Sequence, residues 1–336
     1  MRFFHISDLH FGKLLYGYDL TEEHRNFIEQ LGDYCDKYNP DAVLIAGDVY
    51  DRSVPSADAM TLLDELLNKL SGRKVFIISG NHDNAKRLSF GKDFLKKHDI
   101  YISTVPQTGE NEKIEKVTYA DEYGNVNIYM LPFLKPALFK NSMPEEAAAG
   151  EDAIIKKLVE NTDIDKNERN IILAHQFFVS GHKEPELCES EQTPAIVGGL
   201  DAVDVSAFDD FEYAALGHIH GGQFVGCEKN RYSGTPIKFS VSERNHNKNI
   251  VMVDMEEKNK EIEITKLPLT QIRDVKKLTG YFDDIIASAD EELKNDYVSI
   301  TLRDEEIIPD VKEKLGAYFD YILEVVVDNS ETRKIM

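Results

Sequence analysis

The chain has 336 residues, a formal net charge of −22 and 42% hydrophobic residues. That apolar share excludes a disordered chain, and no run of about 18 apolar residues is present to serve as a membrane-spanning helix. The length suits one large α/β domain with a smaller appendage, and the acidic balance repels nucleic acid at long range, so any such partner would require positive charge supplied locally.

The N-terminus, MRFFHISDLH, reads as a first strand rather than a signal peptide. Arg2–Ile6, Ala42–Ala46 and Lys74–Ile78 are short apolar runs ending at charged or glycine-rich turns, the signature of strands buried on both faces. Between the first two, Phe27, Ile28, Leu31, Tyr34, Cys35 and Tyr38 recur at helical spacing and predict a helix over Thr21–Tyr38. Ser56 is placed to cap a second helix with Met60, Leu63, Leu67 and Leu70 inward, and a third is expected over 85–97. This β-α-β-α-β order implies right-handed crossovers and a parallel start.

Further strands are expected at 127–131, 170–173, 213–215 and 250–253, and a helix at 144–161. Residues 181–199, rich in Gly, Pro and acid, read as a long loop, and loops of that length are commonly functional. After Leu267 the pattern restarts. A helix at 275–288, a strand at Tyr297–Leu302, a helix opening at Pro309 and a strand at 322–327 form a small α+β unit, with 265–274 as hinge. The three cysteines, Cys35, Cys188 and Cys227, form no C-x-x-C pair, which suits reduced thiols and a cytoplasmic protein.

Five strings follow predicted strands: Asp8-Leu9-His10, Gly47-Asp48, Gly80-Asn81-His82-Asp83, Ala174-His175-Gln176 and Gly217-His218-Ile219-His220. Ligands of open α/β sheets bind beyond the carboxyl ends of the strands, so these residues are expected to converge. Each string alone has a bland reading: a surface turn, a strand exit, or a histidine bonded near the core. Together they offer carboxylate oxygen, amide oxygen and imidazole nitrogen without thiolate, a donor set that suits manganese, iron or zinc. Two such ions about 4 Å apart can activate a bridging water and stabilise both oxygens of an in-line displacement.

The ordered series D-x-H, G-D, G-N-H-D, H, G-H-x-H resembles the calcineurin-like metallophosphoesterase superfamily over residues 1–255. The resemblance implies an α/β fold, a four-layer α/β/β/α sandwich. It implies two divalent metal ions, with Asp8, His10 and His220 on one, Asn81, His175 and His218 on the other, and Asp48 bridging. It makes His82 the proton donor to the leaving oxygen and Asp83 the residue that orients its ring. Finer strings resemble the SbcD branch: Gly47 through Arg52, Arg87-Leu88-Ser89-Phe90, Val197 through Asp201, and Tyr232 through Ser240 with Glu243. That likeness implies a nuclease domain over 1–267 and a DNA-capping domain over 268–336. It also implies a Mn2+-dependent exonuclease and endonuclease acting on DNA ends and hairpins in repair and recombination, as a homodimer with an SbcC-type ATPase. A small-substrate phosphoesterase, acting on cyclic nucleotides or phosphoproteins, is the alternative, and a non-catalytic DNA-end scaffold a third possibility.

The chain departs from the pattern at Asp51, where eukaryotic and archaeal relatives carry a second histidine. It departs again at Gly221-Gly222, where many carry a basic residue and proline. Lys135, Lys140, Arg231, Lys238 and Arg244 are candidates to meet phosphates. Phe177 and Phe178 are candidates to stack on a base or to pack beneath His175, and the acidic stretch 184–191 reads as a solvated loop. Leu63, Leu67, Phe94 and Leu95 read as core, while the same resemblance makes part of this helical surface a dimer contact. Residues 328–336 are too few for an amphipathic helix, so the chain is expected to lack a segment that grips the ATPase.

Overall fold

The computed structural model describes residues 1–330 apart from 107, 109–112, 182 and 192–201, so the string from Val197 to Asp201 and the last six residues lie outside the described part. The three apolar runs at Arg2–Ile6, Ala42–Ala46 and Lys74–Ile78 are strands with those bounds, and Thr21–Tyr38 is a helix. The strands lie parallel and side by side, followed by Ile100–Ser103. Asn249–Asp254 pairs antiparallel with Arg2–Ile6, and Glu263–Pro268 completes that edge of a six-stranded sheet. A second six-stranded sheet runs in the order Gln223–Val225, Cys227–Tyr232, Tyr213–Gly217, Arg169–His175, Gly124–Leu131, Glu115–Asp121. Its four inner strands are parallel to one another.

Strand side chains alternate between faces, and that alternation builds the layers. Phe4, Val43, Ile45 and Ile77 pack with Phe27, Leu31, Leu62 and Leu66 of the helices Thr21–Tyr38 and Ala57–Lys69. Their neighbours Phe3, Leu44 and Phe76 point the other way, onto Ile128, Ile171 and Tyr213 of the second sheet. The outward face of that sheet, with Tyr129, Ile172 and Ala214, packs on Ile154, Ile155 and Leu158 of the helix Glu151–Asn161. The result is helix, sheet, sheet, helix: the expected four-layer sandwich.

Local differences have local causes. Ser56 does cap the second helix, accepting from the Ala59 N–H at 3.2 Å, but its buried face is Ala59, Leu62, Leu63 and Leu66, and Met60 is exposed. The helix expected over 85–97 breaks into Ala85–Leu88 and Lys92–Leu95 at Gly91, whose φ of 74° no helix accommodates. The one expected over 144–161 divides at Gly150 into Pro144–Ala149 and Glu151–Asn161. Glu115–Asp121 went unread because it is an edge strand with mostly exposed, polar side chains.

In the C-terminal unit, the helix expected at 275–288 is a strand, Val275–Gly280, followed by a short helix, Phe282–Ala287. Val275 and Leu278 imitate helical spacing, yet the segment pairs in parallel with Tyr297–Leu302, which pairs in turn with Tyr321–Val327. A further short helix, Glu291–Asn295, follows, and the helix expected to open at Pro309 is Val311–Leu315, two residues beyond it. Thr265 to Pro268, expected as hinge, lie in the strand that borders the first sheet. The unit has its own cluster of Val298, Ile300, Leu315, Phe319 and Ile322, while Val275, Tyr297 and Leu323 join the core of the first sheet. Arg273 bridges Glu22 at 2.9 Å and Glu23 at 2.7 Å, the Tyr297 hydroxyl donates to Glu23 at 2.8 Å, and Lys238 meets Asp274 at 2.5 Å.

Candidate metal centre

The parallel inner strands of both sheets deliver their carboxyl ends to one edge, and every singled-out string begins there. Asp8 follows Arg2–Ile6, Asp48 follows Ala42–Ala46, Asn81 follows Lys74–Ile78, His175 ends Arg169–His175, and His218 follows Tyr213–Gly217. The chain turns sharply at these exits. Asp8, His10, Asp48 and His218 have φ of 53°, 45°, 49° and 109°. Non-glycine residues in such conformations cost about 1–3 kcal/mol each and persist where their surroundings hold them. Here the Asp8 N–H donates to the Gly47 carbonyl and the His10 N–H to the Asp48 carbonyl, both at 3.0 Å. The His218 N–H donates to the Asp8 carboxylate at 3.1 Å.

All three glycines of these strings are required by close approach, and a Cβ at Gly47 would meet the His175 ring. A Cβ at Gly80 would stand 2.5 Å from the Asp48 backbone nitrogen, and one at Gly217 would stand 2.8 Å from His175 Nδ1. The glycine before each ligand therefore lets two strand ends touch.

Asp8, His10 and His220 place their donor atoms within 4.8 Å of one another, with His10 Nε2 and His220 Nε2 3.2 Å apart. Asp8, Asp48 and His175 form a second such group. The Asn81 side-chain oxygen lies 3.0 Å from both His175 Nε2 and His218 Nδ1, which brings those two histidines to one side. Asp48 Oδ2 lies between the groups, 3.7 Å from His10 Nε2 and 3.4 Å from His175 Nε2. All seven expected ligands thus meet, and Asp8, His10, Asp48, His175 and His220 are buried. The donor set fits divalent cations. His10 Nδ1 has no hydrogen-bond partner among the described residues. Burial drives His218 and His220 down to about 3 and His10 well below its ordinary value, which leaves their lone pairs available.

His175 behaves oppositely. Burial alone would lower it, but the Asp48 charge and hydrogen bond, helped by Asp8, raise it to about 9. Burial likewise favours a neutral Asp48, yet His175, His10 and His82 outweigh it and hold that carboxylate far below its usual range. Without metals, Asp48 and His175 form a buried ion pair. Burial, with the Asp48 charge added, pushes Asp8 up to about 7.

The His82 ring sits 4.8 Å from the His10 ring, at the rim of the centre. The residue expected to orient it does something else. Asp83 accepts from the Val49, Tyr50 and Gly80 N–H groups at 3.1, 2.9 and 2.9 Å, tying two strand exits together. The His82 ring is held through Nδ1 by the Asp51 carbonyl at 2.8 Å, and its backbone N–H donates to Asp48 at 2.9 Å. Asp51, where relatives carry histidine, thus contributes its carbonyl here, while its carboxylate takes Lys13 at 3.0 Å.

The stretch 184–191 is no solvated loop at its end. Ser190 lies 2.7 Å from His220 Nδ1, and the Glu191 carboxylate, raised to about 7 chiefly by burial, accepts the His220 N–H. Sequence reasoning missed both, because nothing local marks them: they arrive from a loop about thirty positions away. Arg231 and Lys238, offered as phosphate contacts, are buried and paired with Glu228 and Asp274; Lys135, Lys140 and Arg244 remain exposed. Phe177 and Phe178 are core.

Residues 1–222 match the family described as calcineurin-like phosphoesterase, and residues 271–335 match the type 5 capsule protein repressor C-terminal domain. The chain is 30% identical over 340 residues to the SbcD subunit of the nuclease SbcCD from Staphylococcus epidermidis, covering 98% of this chain and 87% of that one. A solved structure, GAP50, the anchor in the inner membrane complex of Plasmodium, aligns with a TM-score of 0.44 and 10% identity over 81% of this chain and 89% of that one, a likeness too slight to bear on function. With most of its length matched by these two family models and by that relative, the chain belongs to the calcineurin-like phosphoesterase family, in its SbcD branch.

Proposed function

We propose that this chain is the nuclease subunit of an SbcCD-type complex, hydrolysing phosphodiester bonds at DNA ends and hairpins with two divalent ions, Mn2+ by preference, alongside an SbcC-type ATPase in the cytoplasm. The observation that carries the reading is the convergence of Asp8, His10, Asp48, Asn81, His175, His218 and His220 at one sheet edge with His82 beside them. Asp8, His10 and His220 would hold one ion and Asn81, His175 and His218 the other, with Asp48 between. Two ions held there would supply the positive charge that activates a water and neutralises the reacting phosphate.

The chain's own residues do the rest. The Asp51 carbonyl accepts the His82 Nδ1 proton, so Nε2 is the atom at which His82 delivers a proton to the leaving oxygen. Asp83 keeps the loops after two strands in register, which places His82 relative to Asp48. The positive charge of the ions also answers the acidic balance of the chain, and the unit from residue 268 onward would complete a DNA surface. No helix among the described residues is long and apolar enough to cross a membrane.

Incubation with Mn2+ and labelled linear or hairpin DNA, beside cyclic nucleotides and a generic phosphodiester, tests the reading. Cleavage of DNA and the generic ester is expected; hydrolysis of cyclic nucleotides with DNA left intact would instead establish a small-substrate enzyme.

The same reading includes a homodimer. Met60, Leu63, Leu67, Phe90, Phe94 and Leu95 line an open groove of about 580 Å3, with Phe90 87% and Phe94 65% exposed. An apolar concentration of that kind on an acidic surface marks an interaction face. Phe90→Asp with Phe94→Asp should convert a dimer to a monomer in sedimentation while hydrolysis of the generic ester persists. A wild type that already sediments as a monomer would refute the dimer.

A further inference from the structure

His220 is the ligand with the most elaborate support, and that support comes from outside its own motif. Its Nδ1 lies 2.7 Å from the Ser190 hydroxyl. Ser190 in turn donates to Glu243 Oε1 at 2.6 Å. Glu243 is fully buried and ionised by its pairing with Lys248, whose Nζ stands 2.6 Å from Oε2. Lys248 also donates to the His220 carbonyl at 3.2 Å and to the Thr235 hydroxyl at 2.5 Å. Phe239 N–H and the Ser240 hydroxyl reach Glu243 Oε1 at 3.1 and 3.2 Å.

The protons available in this network fix the tautomer of His220. An ionised carboxylate only accepts, so the single Ser190 proton goes to Glu243. The Ser190 oxygen then has only lone pairs for His220, and His220 must carry its proton on Nδ1. Its Nε2, the atom 3.2 Å from His10 Nε2, is left as a bare lone pair facing the first group of ligands. Lys248, bonded to the His220 carbonyl, fixes the backbone at the same time.

We propose that Ser190 and Glu243 are positioning residues that hold His220 as the Nδ1–H tautomer and aim Nε2 at the first metal, making the loop of residues 183–191 part of the metal centre. The inference rests on the dimetal reading above. A ligand histidine is generally steered by a partner on its other nitrogen, and loss of such a partner typically weakens metal affinity by about 10- to 100-fold. Here the carboxylate acts through a hydroxyl, so both members of the relay matter.

The test uses the full chain as Ser190→Ala, Ser190→Thr and Glu243→Gln. Nitrogen-15 histidine spectra of metal-free protein read the tautomer directly, and Mn2+ titration by calorimetry reads the affinity. Wild type should show His220 as Nδ1–H and bind two Mn2+. Ser190→Ala should shift His220 towards the other tautomer and weaken one of the two sites about 10- to 100-fold, leaving the other site unchanged. Ser190→Thr, which keeps the hydroxyl, should restore both readouts. Glu243→Gln strands Lys248 and can unfold the chain, so it is scored only if its melting curve stays cooperative, and Ser190→Ala decides otherwise. An unchanged tautomer in Ser190→Ala overturns the relay, as does unchanged two-site binding. A wild type that binds no Mn2+ overturns the dimetal reading instead, while the metal-free spectrum still reports on the relay.

Discussion

His82→Ala should lower turnover on DNA by about 10²- to 10⁴-fold, roughly 3 to 5 kcal/mol of transition-state stabilisation, with two metals still bound. The reason is positional. His82 borders the centre, its Nδ1 is committed to the Asp51 carbonyl, and Nε2 is left for the leaving oxygen. The loss should depend on the leaving group. A DNA 3′- or 5′-alkoxide needs a proton as it departs, whereas a nitrophenolate does not. Hydrolysis of a nitrophenyl phosphodiester should therefore fall far less than DNA cleavage. The rival role is ligation, since His10, Asp51 and His82 also place donor atoms within 4.8 Å of one another. Elemental analysis of the loaded variant separates the two: a drop from two ions to one would make His82 a ligand, and an equal loss on both substrates would remove the proton-donor role.

Asp48→Ala should have the largest effect on metal content. Its carboxylate stands between both ligand groups, so stoichiometry should fall below two and turnover should drop further than in His82→Ala. The metal-free protein should change as well. The unfolded value of His175 is near 6.5 and its folded value is raised to about 9, so its contribution is fully present below about 6.5 and is lost as pH rises through about 9. Asp48 is lowered, so its contribution is present above the ordinary carboxylate value and is lost as pH falls below it. The pair therefore stabilises the metal-free fold between about pH 4 and 9. Within that window Asp48→Ala should cost about 3 kcal/mol, the low end for breaking a buried pair, because the stranded imidazole can shed its proton. Melting curves of EDTA-treated proteins should differ clearly at pH 6.5 and converge near pH 10. A difference that grew with pH would contradict the ion pair, and two ions retained in Asp48→Ala would contradict the bridging position.

How much of this was legible in the sequence follows from where each instruction resides. The inner strands were readable because strands buried on both faces must be continuous apolar runs, and Arg2–Ile6, Ala42–Ala46 and Lys74–Ile78 are. The strand-end strings were readable because a strand exit that another strand end touches demands a particular local sequence: Gly47 turns at a φ of 90°, and Gly80 and Gly217 leave no room for a Cβ. Edge strands such as Glu115–Asp121 were hidden because much of their surface is solvated, and Val275–Gly280 because its two apolar residues stand at helical spacing and, in the strand, face different cores. Three assignments were decided by tertiary structure alone: Asp51 rather than Asp83 beside the His82 ring, Ser190 and Glu191 on His220, and Arg231 and Lys238 buried and paired with carboxylates. Most of these join a side chain to a group on another segment of the chain. A hydrogen bond or ion pair of that kind leaves no periodicity and no spacing behind it, because its geometry exists only once the two sheets and their loops have packed.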